Sequence, residues 1–326
     1  MKKALLPLVC FLVIGFGEVK AQWVTIPDAN FAALLQQKFP GCINGSLMDT
    51  TCAGIVGARA INFSWEAITN LEGIQFFDNL DSLDCSDNSI TGFPSLPPQL
   101  KYLDCRFNEI TSLPNLPNSL TTLRCYENQL SNFPTLPSSL DFFDCGYNLL
   151  TSLPPLPTTL TFLICSQNQL VNLGTLPNGL ISLYCSWNQI TTIPFCPDSL
   201  SELHCELNHL SILPSLPNSL KELSCGSNPL MNLPAMLPDS LQFLNCSDNQ
   251  LTNLPPLPLS LISLDCSYNY LTNLGQLPFL ETLFCSHNNL QTLPTLPGSL
   301  GYLYCENNFL TTLPAIASDV FPLLRF

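Results

Sequence analysis

Hydrophobic positions recur along most of this chain with a fixed spacing. From Leu80 onward, apolar side chains return at relative positions 1, 4, 6, 11, 14 and 17 of a unit that begins again at Leu100, Leu120, Leu140 and so on to Leu300. Twelve starts separated by 220 residues give a mean period of 20. Within each unit, positions 3 to 7 alternate outward and inward, the period-2 signature of a short strand with one buried side. One such unit cannot bury its own apolar side, so neighbouring units must stack. Stacking places the strands about 4.8 Å apart in one parallel sheet. The second half of each unit carries two prolines, as in Leu113-Pro114-Asn115-Leu116-Pro117. Proline removes a donor and fixes φ, so these segments are expected to be extended and polyproline-like, with Leu pointing inward.

Two polar or weakly polar columns run without exception through the units. Cys stands at position 6 from Cys85 to Cys305, and Asn at position 9 from Asn88 to Asn308. The consensus is L-x-x-L-x-C-x-x-N-x-L-x-x-L-P-x-L-P-x-S, with Ile or Phe sometimes in place of Leu. This pattern resembles the leucine-rich repeat family, whose core is L-x-x-L-x-L-x-x-N-x-L, with Cys taking the place of the third Leu. The trailing L-P-x-L-P is similar to the short LPX-type repeats of exported bacterial proteins. The resemblance covers Leu80 to about Ala317. It implies a right-handed solenoid superhelix with a parallel sheet on the concave face, an extended convex side and a small helical N-terminal cap.

The remaining segments divide as follows. Lys2 and Lys3 precede an apolar run from Ala4 to Gly17, which is too short to span a bilayer comfortably. With Val19-Lys20-Ala21 behind it, residues 1–21 read as a signal peptide, cleaved at Ala21. Export to a secreted or cell-surface location is therefore expected, with no membrane span in the mature chain. Residues 22–57 read as the cap, with a helix over Asp28 to Phe39. Residues 58–79, with Ile61, Phe63, Ile68, Leu71 and Ile74, read as a degenerate first repeat. The twelve repeats fill 80–319, and 320–326 is a short apolar tail.

Composition sharpens three points. Charged residues are 10% of the chain, against about 25% in typical soluble proteins, because each unit spends most positions on core and turns. Net charge is −14, and −16 once residues 1–21 are removed, which excludes nucleic acid as a partner. The 16 Cys raise the question of disulfides. In-register parallel strands hold Cβ atoms about 4.8 Å apart, whereas a disulfide needs about 3.8 Å. The column is thus read as stacked small hydrophobes rather than a zipper of bridges. Cys196, at a convex core position, is read the same way. Cys42 and Cys52 lie outside the repeats in an exported chain and read as a disulfide. No C-x-x-C pair and no zinc-type His spacing occurs, so neither metal nor cofactor is expected.

Candidate chemistry lies on the outward rows of the sheet. Positions 3, 5, 7 and 8 hold 48 residues, of which 13 are aromatic, about 27% against 10% for the chain. The densest group is Tyr126, Phe142, Tyr147, Phe162, Tyr184 and Trp187, over four consecutive units. Asp84, Asp104 and Asp144 add an acidic flank, with Arg106 and Arg124 between them. Clustered exposed aromatics mark binding surfaces, although aromatic ladders also stabilise sheets by cross-strand packing. No G-x-S-x-G, H-E-x-x-H, P-loop or EF-hand pattern is present. The expected protein is an exported, non-enzymatic, monomeric module. It would bind a protein partner through the aromatics together with Asp104 and Asp144. The alternatives are a carbohydrate-binding surface protein, a structural rod of about 60 Å at roughly 4.8 Å per coil, or the repeat part of a longer effector. Some LPX-type effectors carry a ubiquitin-ligase domain after their repeats, and the residues after 317 are too few to encode one.

Overall fold

The computed structural model describes residues 22–312, 314 and the backbone of 323–325. The reading of residues 1–21 as a signal peptide lies outside these. At the N-terminal end, β1 (Trp23–Thr25) precedes α1 (Ala29–Lys38), followed by β2 (Ile43–Asn44), β3 (Leu47–Asp49) and α2 (Ala53–Gly57). The strands form a small antiparallel sheet in the order β1-β3-β2. Asp28 caps α1, accepting from Phe31 N–H at 2.9 Å, as a short carboxylate at a helix start does. Its second oxygen accepts from Thr69 N–H (2.7 Å), Thr69 Oγ1 (2.8 Å) and Asn70 N–H (3.2 Å), which ties the helix to the first coil. Burial raises the pKa of Asp28, but these bonds outweigh it and hold it below the ordinary 3.8. Cys42 and Cys52 are disulfide-bonded with Cα atoms 5.5 Å apart.

The coils follow. β4 (Ala60–Asn62) opens a 14-stranded parallel sheet whose strands follow one another in sequence order. Ile61, Phe63, Ile68, Leu71 and Ile74 are all buried, so residues 58–79 build a coil despite departing from the consensus. Twelve three-residue strands, β5 (Ser82–Asp84) to β16 (Tyr302–Tyr304), occupy positions 3 to 5 of coils 1 to 12. Leu323–Arg325 adds a final strand beside β16. Register is strict, so each position faces its counterpart, for example Leu163 against Leu183 and Leu183 against Leu203. The core is correspondingly columnar: in coil 1, Leu80, Leu83, Cys85 and Ile90 are fully buried. The two Leu of the proline segments are less deep, Leu113 and Leu116 being 8% and 9% exposed. Those segments hold no helix or strand and close on a turn in which Leu120 N–H donates to Pro117 C=O at 3.1 Å.

The asparagine column carries the turn after each strand. Asn148 Nδ2 donates to the carbonyls of Cys145 and Gly146 in its own coil and of Cys125 in the coil before. Its Oδ1 accepts from Leu130 N–H at 2.9 Å. The same pattern recurs in neighbouring coils, as with Asn168 and Asn188. Leu130 N–H and the two Cys carbonyls have no backbone partner between coils among the described residues, and a dry unpaired group is costly. A second set of bonds uses the terminal Ser or Thr where one is present: Ser139 Oγ donates to Leu120 C=O and Thr159 Oγ1 to Leu140 C=O, each at 2.7 Å, which closes the coil onto its own start. The cysteine thiols of coils 1 to 12 are all free and buried. Burial pushes them up, well above the ordinary thiol range in coils such as those of Cys85, Cys165 and Cys225 and less at Cys305, so they are not thiolates at neutral pH.

Candidate functional site

The outward rows of the sheet form the concave face, and strand register decides which side chains meet there. Row 3 brings Phe142 and Phe162 together, with centroids 5.8 Å apart and planes at 25°. Arg124, from row 5 of the coil before, lies over the Phe142 ring at 5.0 Å and near Tyr102 at 5.9 Å. Its Nε is buried and has no hydrogen-bond partner. A guanidinium within 6 Å of two ring centroids is a cation–π arrangement.

A second cluster stands at the edge of the sheet. Tyr126 meets Phe107 at 5.6 Å, edge to face, and Tyr147 at 5.9 Å. The residue beneath is Gly146, where an added Cβ would come within 3.0 Å of the Tyr126 ring. Glycine at position 7 therefore lets Tyr126 lie down on its neighbour. Phe107, Tyr147 and Trp187 all sit at position 8, where the backbone is left-handed, with φ of 54°, 51° and 57°. Every coil repeats this conformation at position 8 without glycine. It throws the side chain sideways out of the sheet, so that Trp187 is 57% exposed.

The six aromatics do not form one patch. Phe142 with Phe162 and Tyr126 with Tyr147 are two pairs. Trp187 has no aromatic partner among the described residues. Tyr184 pairs outside the group: it stacks on His204 at 4.4 Å and donates to Glu202 Oε2 at 2.6 Å. Burial and that carboxylate raise the Tyr184 pKa. His204 was visible in the sequence, but only row 5 read down the coils would have paired it with Tyr184. Its Nε2 lies 3.3 Å from Glu222 Oε1, close but outside hydrogen-bonding geometry.

The two acids sit below the surface. Asp104 is 2% exposed and saturated: Arg106 donates to it through Nε (2.9 Å) and Nη2 (2.8 Å), and Tyr102 Oη at 3.2 Å. Asp144 is 8% exposed and accepts from Gly146 N–H at 3.2 Å. Burial raises its pKa against the pull of Arg106 and Arg124. Position 5 points outward, but Arg106 and the flanking rings cover it. Among the described residues no group of three or more His, Cys, Asp or Glu is placed to hold a metal. No helix there is long and apolar enough to cross a membrane.

Two family models match short stretches, leucine-rich repeats (2 copies) over residues 78–118 and a leucine-rich repeat over 240–260. The solved structure of YopM, a leucine-rich effector protein from Yersinia pestis, is 32% identical over 80% of this chain and 87% of YopM, with a TM-score of 0.64. The chain belongs to the leucine-rich repeat family. YopM from Yersinia enterocolitica WA-314 is 35% identical over 74% of this chain, with a TM-score of 0.59, and this leucine-rich repeat protein spans 63% of its length. The functional domain of InlJ from Listeria monocytogenes, described as including a cysteine ladder, is 25% identical over 90% of this chain and 73% of that one, with a TM-score of 0.74. No curated protein matches the chain in sequence.

Proposed function

We propose that this leucine-rich repeat protein is an exported, non-enzymatic binding module that takes a protein partner on its concave face. The observation that carries the reading is the pair Phe142 and Phe162 stacked in register, with the Arg124 guanidinium over the Phe142 ring and Trp187 projecting from the coil after Phe162. Aromatic and arginine side chains are enriched where protein interfaces concentrate their energy. Asp104 and Asp144 contribute from below, Asp104 by fixing Arg106 and Asp144 by its charge beside Arg124. The likeness to an effector protein and to a functional domain with a cysteine ladder supports a scaffold built for recognition.

Exposed apolar side chains on the convex segments, such as Phe195 and Phe279 at 74% and 73%, are separated by prolines and form no ladder. The test is capture and identification of a partner by the mature chain, followed by titration of the purified partner. A variant combining Phe162→Ala and Trp187→Ala is expected to bind at least tenfold more weakly. Unchanged affinity excludes this face, and saturable binding to a glycan array with no protein captured favours the carbohydrate reading.

A further inference from the structure

Row 5 changes character across coils 6 to 12. Tyr184 stacks on His204 at one end, and Phe284 stacks on Tyr304, 4.8 Å apart, at the other. Between these two stacks the row holds three short polar residues in register: Ser224, Asn245 and Asp265. Replacing rings by short side chains opens a cavity of about 210 Å³ in the concave face, with Glu222 and Phe243 along its row-3 side. That is below the roughly 300–1,000 Å³ of pockets that enclose a whole small-molecule ligand. It suits one side chain entering from above.

The lining is built and has open acceptors. Asn245 is held by Ser247, whose N–H and hydroxyl donate to Asn245 Oδ1 at 3.0 and 2.7 Å. Asp265 Oδ1 accepts from Ser267 N–H at 3.0 Å, while its Oδ2 takes no bond from the described residues. Ser224 is 9% exposed, and its hydroxyl has no partner among the described residues. Glu222 uses one oxygen toward His204 and leaves the other free. Phe243, 43% exposed, offers an aromatic wall. The surrounding charge has one sign. In coils 4 to 12 the four outward rows carry seven carboxylates and no Lys or Arg.

We propose that this cavity is a specificity pocket for an arginine side chain of a protein partner, with Asp265 and Glu222 receiving the guanidinium and Phe243 packing against it. A planar five-donor cation matches two carboxylates and an aromatic wall better than a neutral sugar does, because most open groups here accept rather than donate. The inference rests on the concave face being the binding surface, but no residue lining the pocket belongs to coils 3 to 6.

The probe is a capped Gly-Arg-Gly peptide, titrated into the mature protein by NMR at about 0.15 M salt, where diffuse attraction is screened. The same peptide with citrulline in place of arginine removes the charge and keeps the shape. Saturable shifts are expected on strands 202–204 to 282–284, with a Kd of about 1 mM or tighter. Asp265→Asn and Glu222→Gln are each expected to weaken it at least tenfold, as is Asn245→Phe, which fills the gap with another ring. Glu127→Gln, the same charge change on an early coil, and the Phe162→Ala/Trp187→Ala variant are expected to leave it within twofold. Equal binding of the citrulline peptide, no saturation by about 10 mM, or equal loss from Glu127→Gln overturns the pocket. None of these results bears on the Phe162 and Trp187 site, which is judged by its own titration.

Discussion

Replacing Asn148 by Ala tests the turn chemistry that makes one coil follow another. The side chain is 7% exposed and touches four backbone groups. Three of these keep another donor after its removal: Cys125 C=O keeps Asn128 Nδ2, Cys145 C=O keeps Asn168 Nδ2, and Gly146 C=O keeps Glu127 N–H. Only Leu130 N–H is left with nothing, since Asn148 Oδ1 is its partner. One orphaned buried donor costs about 1–3 kcal/mol. The net loss from the amide protons adds about 1–2 kcal/mol. A destabilisation of about 2–5 kcal/mol is therefore expected, most of it at one coil interface. Asn148→Asp should be worse than Ala at neutral pH, because it keeps the acceptor but sets a carboxylate against three carbonyl oxygens. The assay is urea unfolding by circular dichroism together with amide hydrogen exchange. The Leu130 amide should lose protection far more than amides in coils 1 or 12. A cost under about 1 kcal/mol with Leu130 still protected would refute the reasoning.

Three other outcomes follow from the structure. Thiol titration of the mature native protein should find almost no reactive cysteine, and denaturant without reductant should release the thirteen free thiols, those of the column and Cys196; few thiols released would mean the column is bridged. Asp28→Asn should lower stability by about 1–3 kcal/mol at pH 7 through weaker capping and charge-assisted bonds. Because the folded pKa of Asp28 lies below 3.8, that difference is full above this pH and shrinks as pH falls through the folded value; a pH-independent gap contradicts it. Gln167 has φ of 56° and an exposed side chain, so Gln167→Gly should raise stability by about 1 kcal/mol and Gln167→Val should lower it, read as shifts in the urea midpoint. The reverse order would mean the left-handed turn carries no strain.

The coil architecture was legible because one pattern is written twelve times. Position 1, 4, 6 and 11 residues are dictated by burial, and the Asn column by unpaired backbone, so the residues announce both. The helix at Asp28 was legible from a capping carboxylate ahead of Phe31 and Leu35, but not the reach of that carboxylate to Thr69 and Asn70, which depends on tertiary contact. The left-handed residue at position 8 left only a weak trace, since Asp87, Asp248, His287 and Asn307 favour that region but the other eight residues there do not, and none is glycine. Aromatic enrichment pointed to the concave face, yet counting by row could not tell pairs from neighbours: it grouped Tyr184 with Trp187 and missed His204. Asp104 looked available because position 5 faces outward, and only its Arg106 clamp shows that both oxygens are occupied. The gap at Ser224, Asn245 and Asp265 was invisible to a search for large side chains, because it is made by their absence.

The proposed function places recognition on the concave ladder. The most direct measurement compares the affinity of the purified partner for three proteins: the native chain, Phe142→Ala/Phe162→Ala/Trp187→Ala, and the convex control Phe195→Ala/Phe279→Ala. Loss of at least tenfold in the first variant, with the control within twofold of native, is the predicted result. Native affinity in the concave variant with loss in the convex one would contradict the account.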